Sequence, residues 1–197
     1  MNYLVELRTI ASANGGIINT KAAEAIGISR AMLSKLHKKN VIERIAQGQY
    51  VLAEDMADEL LSIMLHSNNL VFSHETALFL NGISDRTPFE HSVTVSSDKR
   101  PPATVKELCK VYYIKPELFA LGLTTLKTNY GNEVRVYDLE RTICDCVRSR
   151  SRMGSETFLF ALRMYAKRPD KNLNKLNTYA KALGISGVVR QYLEVLI

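Results

Sequence analysis

The chain has 197 residues, of which 46% are hydrophobic and 23% charged, and its formal net charge is +6. This length accommodates one large or two small domains, and the composition is that of an ordered globular protein, which excludes an intrinsically disordered chain. The apolar runs are too short to span a bilayer, and the N-terminal residues lack a signal-peptide core, so we expect a cytoplasmic protein with no membrane partner.

The sequence lacks the common motifs of catalytic and metal-binding sites. It contains no phosphate-binding Gly-x-x-x-x-Gly-Lys loop, no Gly-x-Ser-x-Gly elbow and no paired histidine motif. Its three cysteines, Cys109, Cys144 and Cys146, are odd in number. The Cys-x-Cys pair falls in a predicted helix, where successive side chains diverge too far for easy bridging, so we expect buried free thiols. We predict no catalytic residue, no metal and no cofactor.

The N-terminal third carries the most informative pattern. Leu4, Leu7, Ile10 and Ala11 indicate an amphipathic first helix. Thr20 is expected to cap a short alanine-rich helix that ends at Gly27, because glycine tolerates the positive φ of a tight helix end. Ser29 is expected to cap the next helix.

That next helix has one apolar face and one basic face. Met32, Leu33 and Leu36 recur at helical spacing and are expected to face the core, which turns the basic side chains toward solvent. Two β-prone runs follow, residues 41–46 and 49–52, joined at Gln47-Gly48 by residues suited to a hairpin turn. Helix, turn, helix and hairpin in this order predict a winged helix-turn-helix that binds DNA.

The expected DNA contacts follow from this arrangement. Basic and hydroxyl side chains on the second helix suit base edges and phosphates near the positive end of the helix dipole, while cations beside it suit the DNA backbone. The groove set is Ser29, Arg30, Ser34, Lys35 and Lys38; the phosphate set is Lys21, Lys39 and Arg44; the wing tip offers Gln47 and Gln49. Two alternatives stay open: a basic helix face that is only solvated, and a helix-turn-helix that binds protein.

Charge is unevenly distributed along the chain. Residues 1–53 carry a net charge of +4, residues 54–100 carry −5 and residues 101–197 carry +7. Many of the C-terminal cations lie between Arg148 and Lys175. This cluster is compatible with a second phosphate-contacting surface, a docking face for a protein, or simply solvated helices.

The rest of the sequence indicates mixed α and β structure. Expected helices cover residues 55–66, 73–80, 139–148, 156–167, 173–183 and 188–196, and expected strands cover 71–72, 91–96, 111–114, 124–128 and 133–137. The loop 83–88 is the expected domain seam, and the boundary itself is expected between residues 54 and 88. We therefore predict an α+β fold: a winged helix-turn-helix with trailing helices over 1–80, then a mixed α/β C-terminal domain over 81–197 that ends in a helical bundle.

Three segments carry a family resemblance: Ser-His-Glu-Thr-Ala-Leu at 73–78, Asn-Gly-Ile-Ser-Asp-Arg-Thr-Pro at 81–88, and Asp-Leu-Glu-Arg-Thr-Ile-Cys-Asp at 138–145. They resemble the AbiEi antitoxins of bacterial abortive-infection systems, which act in phage defence. The resemblance implies a winged helix joined to a C-terminal antitoxin domain. It also implies repression of the protein's own operon at double-stranded operator DNA, for which we expect inverted repeats. Finally, it implies a type IV toxin-antitoxin system, in which the antitoxin opposes a nucleotidyltransferase toxin without a stable complex.

The same motifs have structural explanations. Asp138 is expected to cap a helix, Arg141 and Asp145 stand four residues apart and can pair, and Glu140 suits the helix dipole. His74 and Glu75 at a helix start suit capping and solvent exposure better than a metal site. On charge alone, Arg148, Arg150 and Arg152 are hypothesised to form the antitoxin surface.

Three hypotheses of function stay open. The first is an antitoxin that represses its own operon. The second is a winged-helix regulator whose C-terminal domain senses a small molecule. The third is an enzyme, for instance a nuclease using Asp138, Glu140 and Asp145, and the absence of catalytic motifs disfavours it.

Overall fold

The computed structural model describes residues 3–54 and 58–193. The chain divides into two compact units, an N-terminal unit of residues 1–66 with 127–132 and a C-terminal unit of residues 67–126 with 133–197. The division at 66/67 differs from the predicted boundary at 80/81. The strand and the helix predicted at 71–72 and 73–80 do form, but they belong to the C-terminal unit, and sequence periodicity does not show which unit an element joins.

The N-terminal unit is a winged helix-turn-helix, as predicted. Its elements are α1 (Tyr3–Ala13), β1 (Ile18–Asn19), α2 (Thr20–Ala25), α3 (Arg30–Lys38), β2 (Ile42–Ala46), β3 (Gln49–Leu52) and α4 (Glu59–Leu65). The strands form an antiparallel sheet in the order β1-β3-β2. Residues 55–57 of the predicted 55–66 helix lie outside the described residues.

One apolar core holds the N-terminal unit together. Leu7 of α1, Ile28 in the turn and Leu33 of α3 are completely buried in it, and Met32 and Leu36 pack against it. Complete burial of such a side chain contributes about 1.5–3 kcal/mol. The predicted inward face of α3 is therefore confirmed.

The helix ends also follow from local chemistry, with one correction. The side chain of Ser29 accepts a hydrogen bond from the amide of Met32 at 3.2 Å, and Gly27 adopts a φ of +86°, as expected. The predicted cap at Thr20 is wrong, because Asn19 caps α2 by accepting from the amide of Ala22 at 2.7 Å. Thr20 is instead the first helical residue, and its hydroxyl donates to the carbonyl of Gly48.

The C-terminal unit is a mixed sheet with a helical bundle. Its strands are β4 (Leu70–Phe72), β5 (His91–Ser96), β6 (Cys109–Ile114), β7 (Leu123–Lys127) and β8 (Glu133–Tyr137). They lie in the order β6-β5-β4-β8-β7. Strand β4 is antiparallel to β5 and parallel to β8, and β5 is parallel to β6.

Seven helices accompany this sheet among the described residues. They are α5 (His74–Leu80), α6 (Ala103–Leu108), α7 (Pro116–Phe119), α8 (Leu139–Arg148), α9 (Ser155–Lys167), α10 (Leu173–Ala182) and α11 (Ser186–Leu193), with a 3-10 turn at Arg150–Arg152. The last four form the predicted bundle around Ile143, Leu162 and Leu176. Ile83 is buried in the same core, so the loop 83–88 is not a seam between units.

The three cysteines are buried thiols outside any disulfide, as predicted. Burial raises the pKa of Cys144 to about 12 and raises that of Cys146 well above its ordinary value. Both thiols therefore stay protonated and unreactive.

Within residues 3–54 and 58–193, no helix has both the length and the apolar character needed to cross a membrane.

Candidate nucleic-acid interface

Helix α3 presents a polar and basic surface to solvent. Because Met32, Leu33 and Leu36 form the core-facing side of the helix, the side chains at 30, 34, 35 and 38 fall on its outer side, and all four residues are exposed. The exposed N-cap Ser29 places its hydroxyl at the positive end of the helix. The structure thus brings the predicted groove set together on one helix.

Arg30 is not a free cation. Its Nε donates to Glu24 Oε1 of α2 at 2.8 Å, while 77% of the Arg30 side chain remains exposed. A guanidinium reads guanine by offering two N–H groups to O6 and N7, and contact through Nε leaves the two terminal nitrogens available. Glu24 is therefore positioned to orient Arg30 across the turn. Sequence reasoning missed Glu24, because the pair spans six residues across the turn, outside the helical i,i+3 and i,i+4 spacings.

The phosphate set surrounds α3. Lys21 lies in α2, Lys39 follows the end of α3, Arg44 lies in β2, and all three are exposed. The Nε of Arg44 donates to the carbonyl of Ala46 at 3.4 Å. Cations at these places are suited to phosphates, which position a helix in a groove without reading sequence.

The wing forms as predicted, but its two glutamines differ. Strands β2 and β3 pair antiparallel, and Gly48 adopts a φ of +72° in the turn between them. Gln47 is exposed at the turn. Gln49 is half-buried in β3 and its Oε1 is shielded from solvent, so that oxygen is not accessible for the predicted contact.

Comparison with known proteins agrees with this geometry. Residues 5–53, which contain the three-stranded sheet, α2 and α3, match the family model described as transcriptional regulator, AbiEi antitoxin. This segment is AbiEi-like.

A likeness across nearly the whole chain concerns the fold alone. The crystal structure of the RV2827C protein from Mycobacterium tuberculosis superimposes with a TM-score of 0.73 at 13% identity. The match covers 98% of this chain and 77% of that one. No curated protein matches the sequence.

The AbiEi-like N-terminal unit is followed by the C-terminal unit. There, the three arginines hypothesised to form the antitoxin surface differ in their exposure to solvent. The Arg148 side chain is only 26% exposed, and its Nη2 lies 3.5 Å from Asp145 Oδ1. Arg150 is exposed and donates to the carbonyl of Val147. Arg152 is exposed and stacks over the ring of Tyr112 at 4.3 Å. Arg150 and Arg152 can face a partner, whereas Arg148 belongs largely to the interior.

His74 is buried, which corrects the expected solvent exposure. Its ring stacks on Tyr112 at 3.5 Å between centroids and is hydrogen-bonded to the hydroxyls of Ser73 and Ser149. Its φ is +47°, in the left-handed region that few residues other than glycine adopt, histidine, asparagine and aspartate more often than the rest. Burial, followed by the charge of Arg148, holds the pKa of His74 well below its ordinary value, so the ring is neutral near pH 7.

The carboxylates of the 138–145 motif are committed to packing of α8. Asp138 caps α8 by accepting from the amide of Arg141 at 2.9 Å, as predicted. Glu140 is buried and accepts from the amide of Asn172 at 3.0 Å. The predicted Arg141–Asp145 pair is confirmed, with Nε 3.0 Å from Oδ2 and both side chains fully buried.

Proposed function

We propose that this protein is an antitoxin and autorepressor of a type IV toxin-antitoxin operon. In this proposal α3 enters the major groove of an operator with inverted repeats, and the wing and flanking cations contact phosphates. The C-terminal unit neutralises a nucleotidyltransferase toxin encoded alongside, without a stable complex and without catalysis of its own. Both activities belong to the cytoplasm, where abortive infection acts.

The observation that carries the DNA-binding half is the outward face of α3. Arg30, Lys35 and Lys38 are exposed on a helix whose other side is anchored by Leu33. A helix anchored in this way within a winged helix-turn-helix is the element that docks in a major groove. The match of residues 5–53 to a family of transcriptional regulators supports the same role.

The test is binding to the promoter region upstream of the gene. The double variant Lys35→Ala/Lys38→Ala is expected to weaken binding by about tenfold and to lower the slope of log affinity against log salt by about 2, because two cations that face the DNA and displace its counterions are lost. Fluorescence anisotropy at several salt concentrations measures both quantities.

Lys106→Ala/Lys181→Ala is the matched control, since it removes the same charge from exposed residues of the C-terminal unit. It should bind like the wild type. Equal affinity and equal salt slope in the α3 double variant would count against the proposed interface.

A second candidate function is a regulator whose C-terminal unit senses a small molecule. It is favoured by a cleft of about 730 Å³ in that unit, lined by parts of α5, the loop 84–90, β5, β6 and α9, which we call the α5–α9 cleft. This volume is in the range of small-molecule sites. The two candidates differ in one experiment: only the antitoxin restores growth when co-expressed with the toxin.

A further inference from the structure

Two of the three motif segments meet at the α5–α9 cleft. Glu75 and Leu78 come from the 73–78 segment, and residues 84–88 come from the 81–88 segment. The DNA-binding role leaves both segments unexplained, because they lie in the C-terminal unit. The cleft gives them a shared location.

Glu75 places a fixed carboxylate in this cleft. Its side chain is only 18% exposed, and its Oε2 accepts a hydrogen bond from Ser92 Oγ at 2.8 Å. Its Oε1 forms an ion pair with Lys110 Nζ at 3.7 Å, a separation too long for a hydrogen bond, and Lys110 donates its hydrogen bond to the carbonyl of Arg152 at 2.6 Å. One carboxylate oxygen is therefore held in place with capacity to accept a hydrogen bond from a ligand.

Aromatic side chains stand in the same cleft and face water. Phe89 is fully exposed and Phe160 is 47% exposed. Exposed apolar side chains gathered at a concave site mark a surface that a ligand covers. An aromatic face also attracts a cation through its quadrupole.

The charge of the lining favours a cation as well. Four carboxylates, those of Glu75, Asp85, Glu90 and Glu156, line the cleft against two cations, Arg86 and Lys110. The cleft is thus locally acidic in a chain whose net charge is +6. A phosphate-bearing ligand is disfavoured here, and so is nucleic acid.

We propose that the α5–α9 cleft binds a small organic cation, with an ammonium group on Glu75 Oε1 and an apolar body against Phe160 and Leu78. A charge-assisted hydrogen bond to the partly buried carboxylate makes the cleft prefer a cationic ligand over a neutral one, and the aromatic side chain provides apolar contact area for the body of the ligand. The inference rests on the cleft alone, so it stands or falls independently of operator binding.

The test is a titration of the full chain, followed by NMR chemical shifts or calorimetry, with 2-phenylethylamine as the probe. Saturable binding is expected, with about tenfold weaker binding of the neutral isostere 2-phenylethanol and of the anion phenylacetate. Glu75→Gln should bring the affinity for the amine down to that for the alcohol. Phe160→Ala should weaken both ligands several-fold, because it removes apolar area.

Leu159→Ala is the matched control for Phe160→Ala, since Leu159 is exposed on α9 beside it but lies outside the cleft lining. Should Glu75→Gln not fold, Glu156→Gln at the rim tests the same charge preference. Absence of saturation, equal affinity for amine and alcohol, or equal loss in the Leu159 and Phe160 variants would each overturn the proposal.

Discussion

Arg141 shows how a charged residue can become part of a core. Its side chain is fully buried, with Nε on Asp145, Nη1 on the carbonyls of Leu118 and Leu121 at 2.9 and 2.6 Å, and its guanidinium over the ring of Tyr137 at 4.1 Å. Removal from water is costly for a cation, and these partners offset that cost. The Arg141–Asp145 ion pair of the 138–145 motif therefore holds α8 in place.

Arg141→Met is expected to lower the free energy of unfolding by about 3–5 kcal/mol, because it leaves Asp145 buried beside an apolar side chain. Urea denaturation followed by circular dichroism measures the change. Asp170→Asn breaks the exposed pair with Arg168 and should have little effect. A comparably small effect of Arg141→Met would contradict the structural role.

His74 makes stability depend on pH. Its pKa in the folded chain lies below the unfolded value of about 6.5, so below that pH the unfolded chain takes up a proton that the folded chain does not. The free energy of unfolding therefore decreases as the pH falls below about 6.5, by up to about 1.4 kcal/mol per pH unit, until the pH reaches the pKa of His74 in the folded chain.

His74→Asn is expected to flatten this dependence between pH 7 and pH 5, since asparagine tolerates the positive φ and does not titrate. Urea denaturation across that range measures the slope. His66→Asn, at a half-buried histidine of the N-terminal unit, should retain the wild-type slope. An unchanged slope in the His74 variant would rule out this linkage.

At the scale of elements, the turn between α2 and α3 sets the DNA-facing geometry. Gly27 lies just beyond the end of α2, and a Cβ added there would meet no atom within 4 Å. Glycine is therefore required here because of its backbone φ of +86°, since an added Cβ would meet no steric clash. Gly48 in the wing also has a positive φ, +72°, and a Cβ added there would in addition lie 3.3 Å from Thr20 Oγ1.

Gly27→Ala is expected to destabilise the N-terminal unit by about 1–2 kcal/mol, because alanine is strained in the left-handed region. Thermal denaturation measures the shift. Gly187→Ala is the control, since Gly187 lies inside α11 in open space with no positive φ, and should stabilise by about 0.5–1 kcal/mol. The same sign for both variants would refute the conformational argument.

At the scale of the whole molecule, two units carry two separable sets of charged residues. The basic face of α3 lies in the N-terminal unit, and Arg150 and Arg152 lie in the C-terminal unit. The proposed antitoxin has one task for each set. Mutations in one unit should therefore leave the other task intact.

With expression from a constitutive promoter, Lys35→Ala/Lys38→Ala is expected to rescue growth from the nucleotidyltransferase toxin as well as the wild type does. Arg150→Glu/Arg152→Glu should lose rescue, because the charge of the hypothesised antitoxin surface is reversed. Colony counts on co-expression measure rescue. Arg163→Glu/Lys167→Glu, at two exposed cations of α9, makes the same change in charge and is the control, and full rescue by the Arg150/Arg152 variant would remove that surface from the proposal.

The elements that the sequence predicted well are those with strong local signals. Residues 91–96 and 133–137 alternate clearly and form β5 and β8 at those bounds, and α8 occupies 139–148 as expected. The short helices α6 and α7 were missed, because four to six residues give too few turns for a helical period. The predicted site residues of α3 share the outer side of the helix, because helical spacing turns Met32, Leu33 and Leu36 together toward the core.

The sequence by itself determined the winged helix-turn-helix, since turn glycines, caps and helical spacing act over a few neighbouring residues. Only the tertiary structure decided which polar groups are partners across distance. It placed His74 on Tyr112, held Arg30 with Glu24, and gathered Glu75, Phe89 and Phe160 around one cleft. Such contacts join residues far apart in the chain or across a turn, and burial and charge pairing at that range leave no periodic signal along the sequence.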